Sequence, residues 1–451
     1  MLKDILAEIF PLHRTLVSQG TDDALRIVGR HMPSAANYAL ETYPAGAPAW
    51  TWTIPERYVV HEAFLESETG ERLIDFTDNP LHLVSYSPPV ERWLTWEELE
   101  PHLFYNEQRP QAIPWMYKYY ERDWGFCLPK MQFDRLDRGG RYRAVIRSEF
   151  RDDPSEGLQV GVGLIEPHLG NEREKAPAGD FIVCAHICHP AQANDDAAGV
   201  VSAIALACRL AENPLPPGSL SVRFLFCPET IGSIAYLAHH EQLIANLKGG
   251  IFLEMTGTDG PLAWHHTRQS DHRLDRVTAN VMASRRAAAA GGEPLDPNIA
   301  AATERPFGAH PANDERVING PGVNVPCISL NRWPYPEYHT NEDSLEIIKE
   351  ESLADAAEAA EAIVRIYASD YVPIRTFRGP VFLSGYGLWV DWRTDWRLNR
   401  AMEKITLCLE GRHSIFDIAE EVGLDYWSVR EVVEKFRANG LIDALPIPSA
   451  S

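Results

Sequence analysis

The sequence predicts an α/β protein with a doubly wound, mostly parallel sheet, and three observations predict it. From about residue 166 onward, short apolar runs alternate with helical segments, the pattern of successive βαβ units. Breaks rich in proline and glycine, such as Asn213-Pro214-Leu215-Pro216-Pro217-Gly218, separate them. Polar clusters stand directly after several of the apolar runs, where a sheet of this kind binds its ligands.

Residues 1–40 have helical apolar spacing, first in Ile5-Leu6-Ile9-Phe10-Leu12 and then in Ala24-Leu25-Ile27-Val28, with Asp22 and Asp23 suiting a helix start. They are assigned to the core as its N-terminal helices. Residues 41–165 are rich in aromatics and prolines and carry alternating runs such as Trp50-Thr51-Trp52-Thr53-Ile54, so a small, mainly β domain inserted in the core is expected.

Residues 166–372 supply the core itself. Strands are predicted at Phe181-Ile182-Val183-Cys184-Ala185, Val222-Arg223-Phe224-Leu225-Phe226, Gly250-Ile251-Phe252-Leu253-Glu254 and Pro326-Cys327-Ile328-Ser329-Leu330. Helices are predicted over about 196–211, 232–246, 270–290 and 343–369. Residues 373–451 read as a linker with strands followed by a winged-helix domain. Its elements are Ile415-Phe416-Asp417-Ile418-Ala419, a turn at Gly423-Leu424-Asp425, a helix through Trp427-Ser428-Val429-Arg430, and a wing starting at Leu441-Ile442-Asp443.

The chain has 451 residues, with 42 Lys+Arg against 64 Asp+Glu and a formal net charge of −22. That balance argues against broad phosphate binding. The segment 425–438 has Arg430, Lys435 and Arg437 against Asp425, Glu431 and Glu434, so nucleic acid is not an expected partner. The sequence has no apolar run of membrane-spanning length and no apolar signal core near Met1; no membrane association and a cytoplasmic location are expected. The seven cysteines, Cys184 and Cys188 among them, read as reduced packing residues.

The chemistry lies in four clusters. His186-Ile187-Cys188-His189-Pro190 leaves the first core strand and is followed by Asn194-Asp195-Asp196 at a helix start. An imidazole and a carboxylate brought together there are zinc ligands, although an aspartate at a helix start also serves as an N-cap. Glu229 follows the second strand and could take a proton from metal-bound water. Glu254 ends the third strand, where an acid requires a partner, a hydrogen bond or a cation. His339 precedes the last long helix, which Asn341 or Asp343 would cap.

In their order and local pattern, these segments resemble the zinc aminopeptidases of the bacterial leucyl aminopeptidase and aminopeptidase Y type. The matching stretches are Ala193-Asn194-Asp195-Asp196-Ala197-Ala198-Gly199, Pro228-Glu229-Thr230, Leu253-Glu254-Met255 and Tyr338-His339-Thr340. A subfamily of aminopeptidase-like proteins associated with polysaccharide biosynthesis is the closer resemblance. It rests on Ile187-Cys188-His189-Pro190, Trp124-Gly125-Phe126-Cys127, Asn313-Asp314-Glu315-Arg316 and Pro336-Glu337-Tyr338-His339-Thr340. The layout of peptidase core, inserted β domain and C-terminal winged helix also resembles that subfamily.

Three departures matter. Thr230 replaces the second member of the family's Glu-Glu pair, which implies that one of two metal positions is weak or absent. Alignment on Gly199 puts Asn194 where the family has its bridging Asp, and a small loop shift would give that role to Asp195. Glu254 replaces an Asp.

The resemblance therefore implies one zinc ion held by His189, Asp195 and His339, with Glu254 nearby and Glu229 as catalytic base; His186 competes with His189. Asp314, Glu315, Arg316 and Tyr338 are the expected substrate-binding residues. The expected activity is hydrolysis of an amide beside a free amine in a small peptide. The alternatives are an amidase or deacylase acting on an amino-sugar or aminoacyl precursor in polysaccharide synthesis, and a catalytically impaired zinc-binding protein acting through its winged helix. Association with a second copy is left open.

Overall fold

The computed structural model describes residues 1–168, 177, 179–289, 303–309 and 313–447. Its centre is an eight-stranded sheet. We number its strands β1 (Ala39–Tyr43), β2 (Leu158–Ile165), β3 (Asp180–His186), β4 (Ser221–Cys227), β5 (Leu247–Leu253), β6 (Ala263–His265), β7 (Glu304–Arg305) and β8 (Cys327–Asn331). They lie in the order β1-β2-β4-β3-β5-β8-β6-β7. The central pairs β3/β5 and β5/β8 are parallel, whereas β1/β2, β2/β4 and β8/β6 are antiparallel. β3 is buried along its whole length and β5 at all but one position, as expected of strands covered on both faces.

Seven helices are numbered with it: α1 (Leu2–Ile9), α2 (Gln19–His31), α3 (Gly199–Glu212), α4 (Ile231–His239), α5 (Arg273–Ala289), α6 (Asp314–Ile318) and α7 (Glu350–Ser369). Residue 290, the end of the helix expected there, lies outside the described residues. Each of α1 and α2 buries one apolar stripe, Ile5, Leu6 and Ile9 in α1 and Ala24, Leu25, Ile27 and Val28 in α2. Ser18 caps α2 by accepting from the Thr21 amide.

The stretch expected to be an inserted β domain contributes its two ends, β1 and β2, to the central sheet. Between them lies a four-stranded antiparallel sheet ordered Arg72–Asp75, Arg57–Ser67, Tyr142–Arg151, Val90–Leu94. β2, Leu-Gln-Val-Gly-Val-Gly-Leu-Ile, is buried at most positions, and Gly161 leaves room for the Tyr38 ring against it.

The chain divides into two compact units, and the central sheet, Ser221 apart, lies in the first, Met1–Glu166, Asp180–Pro214 and Val222–Glu361. The second contains Pro167–Gly179, Leu215–Ser221 and Ala362–Ser451. It holds the helices Trp396–Cys408, Ile415–Val422 and Tyr426–Ala438, and the antiparallel pair Val372–Arg375 with Ile442–Leu445. Gly423 ends the middle helix in the left-handed conformation, a turn for which glycine is suited. The 375–395 stretch was expected to contain strands; it enters as the end of Val372–Arg375 and continues into a short 3₁₀ turn, Leu383–Tyr386. Among the described residues, no helix is long and apolar enough to cross a membrane.

One close approach sets the geometry of everything below. Gly199, at the start of α3, sits against the end of β5 so tightly that a Cβ there would come within 2.1 Å of the Leu253 carbonyl oxygen. The contact presses the loop before α3 onto the exit of β5. Gly199→Ala is expected to destabilise the protein by about 1–3 kcal/mol through overpacking, measured by urea denaturation; an unchanged midpoint would contradict the close-approach account.

Candidate metal centre

β3, β4, β5 and β8 end at one rim of the sheet, and the polar residues following them meet there. Asp195 lies in the turn Ala193–Ala198 between β3 and α3 and is 2% exposed. Its two carboxylate oxygens face different histidines. Oδ1 is 3.5 Å from His186 Nε2, and Oδ2 is 3.1 Å from His339 Nε2. Glu254 Oε2 stands 3.7 Å from the same His186 Nε2. His189 Nε2 is 3.3 Å from Glu229 Oε2.

Two triads result, His186–Asp195–Glu254 and His189–Asp195–His339; within each, the donor atoms lie within 4.8 Å of one another. Asp195 belongs to both. The expected set of His189, Asp195 and His339 is brought together. Glu254, expected beside that set, is grouped instead with His186 and Asp195. The contest between His186 and His189 also changes form, because each histidine falls in its own triad. Asn194 is not among these donors: its Oδ1 accepts from the Gly257 amide at 2.8 Å.

The donor set fits zinc. Bonds of about 2.0–2.2 Å in tetrahedral geometry put neighbouring ligand atoms roughly 3.3 Å apart, and the spacings above bracket that value. Neither ring nitrogen of His186 makes a hydrogen bond among the described residues, although the ring is buried. A buried imidazole in that state is costly unless a cation accepts its lone pair.

Several residues hold this geometry. Asp343 is fully buried and accepts from the amides of Ala193 (3.1 Å), Asn194 (2.6 Å) and Asp195 (3.0 Å) and from the Tyr335 hydroxyl (2.6 Å). The helix expected from 343 therefore begins at Glu350, and neither Asn341 nor Asp343 caps it. Asn341 pairs instead with the backbone of Ile113.

Asp196 accepts from Arg14 at 2.5 Å and lies 3.1 Å from His189 Nδ1, with both Arg14 and Asp196 at 0% side-chain exposure. A carboxylate on the far nitrogen sets the tautomer and direction of a ligand histidine. Cys188, read from sequence as packing, lies inside the site: its sulfur accepts from the Glu229 amide at 3.1 Å. None of Arg14, Asp196 and Asp343 was assigned a site role from sequence, since their parts depend on contacts across long stretches of chain.

The expected substrate-binding residues divide. Tyr338 stacks on His339 with centroids 3.7 Å apart. Asp314 is fully buried and accepts from the Thr230 amide at 3.0 Å and from Ser233 Oγ, so it braces the turn carrying Glu229. Glu315 is buried and accepts from the Asn313 amide, while Asn313 Nδ2 donates to Glu254. Arg316 is exposed and makes no ion pair among the described residues.

Crowded acids tune one another here. Burial, with Glu315 and Asp195 nearby, holds the Glu254 carboxyl well above the usual range. Burial pushes Asp314 up to about 8 and Glu315 up to about 7. Burial opposes ionisation of Glu229 too, but the adjacent His189 outweighs it and lowers its pKa. Burial alone would lower His189, yet Asp195 and other neighbours hold it well above its ordinary value.

The fold is one seen in solved structures. The structure resembles a zinc aminopeptidase from Bacillus subtilis (TM-score 0.56, 16% identity, 80% of this chain and 94% of that one). It also resembles a peptidase M28 precursor from Shewanella amazonensis (TM-score 0.54, 13% identity, 82% and 93%). A crystal structure of a provisionally assigned peptidase from Clostridium acetobutylicum matches at TM-score 0.80 and 26% identity over 98% of this chain and 96% of that chain. The architecture is thus that of the zinc aminopeptidases and M28 peptidases.

In sequence, the chain is 28% identical over 434 residues to a Clostridium acetobutylicum protein provisionally named a polysaccharide biosynthesis protein with an aminopeptidase-like domain, covering 95% of this chain and 92% of that one. Residues 3–370 match the family described as domain of unknown function DUF4910, and the chain belongs to that family.

Arg14 is the buried cation that compensates Asp196. Arg14→Met is expected to cost about 3–5 kcal/mol by leaving a buried charge unpaired, read from urea denaturation. A loss below about 1 kcal/mol would show that Asp196 does not depend on it.

Proposed function

We propose that this chain is a zinc-dependent hydrolase of aminopeptidase type, with two cation positions that share Asp195. The single observation carrying this reading is that the two oxygens of one buried carboxylate face separate histidines, each backed by a further ligand residue. His186 and Glu254 would complete one position, and His189 and His339 the other. Nitrogen and carboxylate oxygen donors suit zinc.

This reading revises the expectation of a single ion. Thr230 was expected to weaken one metal position. Its amide donates to Asp314 and its φ is +61°, so the residue serves to shape the turn. We assign to His189 the ligand role that Thr230 lacks.

Zinc at these positions would acidify a water molecule and polarise the scissile carbonyl. The chain's own residues do the rest. Glu229, half-turned to solvent beside His189, accepts a proton from the attacking water and delivers it to the leaving amine. Tyr338, stacked on His339, is assigned to substrate contact. Among the expected substrate contacts, Asp314 and Glu315 act through the supporting framework and Arg316 stands outside it.

The relative's name favours a second substrate class for the same site: an amide on an amino-sugar or aminoacyl precursor of polysaccharide synthesis. A substrate screen separates it from a peptide. The C-terminal unit is proposed as a winged helix with a docking role. In its last helix, Arg430 donates to Ser369 and Tyr426, and Lys435 pairs with Glu431, which leaves few free cations for nucleic acid.

Glu229→Gln is expected to reduce kcat on aminoacyl amides by about 10²–10⁴-fold while zinc content stays unchanged, because Glu229 lies outside both triads. Unchanged turnover would exclude it as the base.

A further inference from the structure

The segment 109–117 belongs to the β-rich part of the chain, yet it is fastened to the loop that carries His339. The Trp115 amide donates to the His339 carbonyl at 2.7 Å. Ile113 donates to Asn341 Oδ1 at 2.8 Å and accepts from the Asn341 amide at 3.0 Å. Arg109 pairs with Glu342. These bonds help to hold the loop, in which His339 has φ +54°, a left-handed conformation that is uncommon for a residue with a Cβ.

The Trp115 ring closes the same arrangement from the side-chain direction. It is 2% exposed and packs in a small apolar cluster with Leu81, Val84, Ile113 and Cys127. Its centroid lies 4.1 Å from that of His189, tilted 65°, and 4.6 Å from that of His339, at 87°. The two imidazoles are 5.8 Å apart. One indole therefore touches both histidines of one triad, and no ring contact joins it to His186 of the other. Edge-to-face packing of this kind is directional. It restricts rotation of each imidazole about its Cβ–Cγ bond, and that rotation decides where Nε2 points.

We propose that Trp115 is a positioning residue for the cation held by His189, Asp195 and His339, so that segment 109–117 forms part of the metal centre. The inference rests on the two-position reading above. Outer residues that orient ligands are typically worth 10–100-fold in metal affinity, and the effect here should fall on one cation of the two.

The test measures zinc binding by the full-length protein, native, Trp115→Phe, Trp115→Leu and Trp115→Ala, in competition with a graded series of chelators. Native protein should bind two equivalents. Trp115→Ala should bind its first equivalent as native does and its second at least 10-fold more weakly. Trp115→Phe, which keeps a flat edge against the imidazoles, should restore the second to within about 3-fold of native. Trp115→Leu keeps apolar bulk without the ring and should behave as Ala does; it decides the matter if the Ala variant does not fold.

Two native equivalents with an unaltered second affinity in Trp115→Ala or Trp115→Leu would overturn the inference alone. Equal weakening of both equivalents would likewise overturn it, in favour of a general structural role. Fewer than two equivalents on the native protein would overturn the shared-Asp195 reading, and the inference with it.

Discussion

The structure turns on the placement of one carboxylate. Asp195 reaches the rim of the sheet with its oxygens directed to His186 on one side and His339 on the other, and neither triad exists without it. That placement is a backbone matter before it is an electrostatic one. Gly199 lets the following helix press against the end of β5, and Asp343 gathers three successive amides of the turn. The carboxylate is thereby held by parts of the chain about 60 and 150 residues away.

The surrounding charges follow from this choice. Asp195, Asp196, Glu229, Glu254, Asp314, Glu315 and Asp343 converge on a region whose buried permanent cation is Arg14. Carboxylates so close together cannot all ionise without positive charge. Burial chiefly, with that crowding added to it, raises the values at Glu254, Asp314 and Glu315, and the three imidazoles belong to the donor set where divalent charge is proposed. Buried groups at the rim outside both triads have structural work: Asp314 fixes the turn bearing Glu229, and Asp343 fixes the turn bearing Asp195.

The α/β architecture and the rim location were legible because both depend on local pattern. Strands β3, β4, β5 and β8 are short apolar runs, and the polar residues after them are close in sequence. His189, Asp195, Glu229, Glu254 and His339 could be singled out for that reason. Pairing them was a different problem. That Glu254 sides with His186, or that His189 shares Asp195 with His339, depends on loop paths after the strands, which periodicity does not encode. Arg14, Asp343 and Trp115 were invisible as site residues for a related reason: each acts on a partner more than 70 residues distant. Arg316, placed beside the site by its polar sequence neighbourhood, is exposed, unlike the buried Asp314 and Glu315 before it.

The solved structures show the fold that zinc aminopeptidases and M28 peptidases have, and in the proposed reading the departures within the motifs become intelligible through Asp195. Thr230 need not be a ligand if His189 is one. The most direct test is anomalous diffraction at the zinc absorption edge from crystals grown with zinc. The account predicts two peaks, one on each side of the Asp195 carboxylate, with His186 and Glu254 at one and His189 and His339 at the other. A single peak, or peaks that do not touch Asp195, would contradict it.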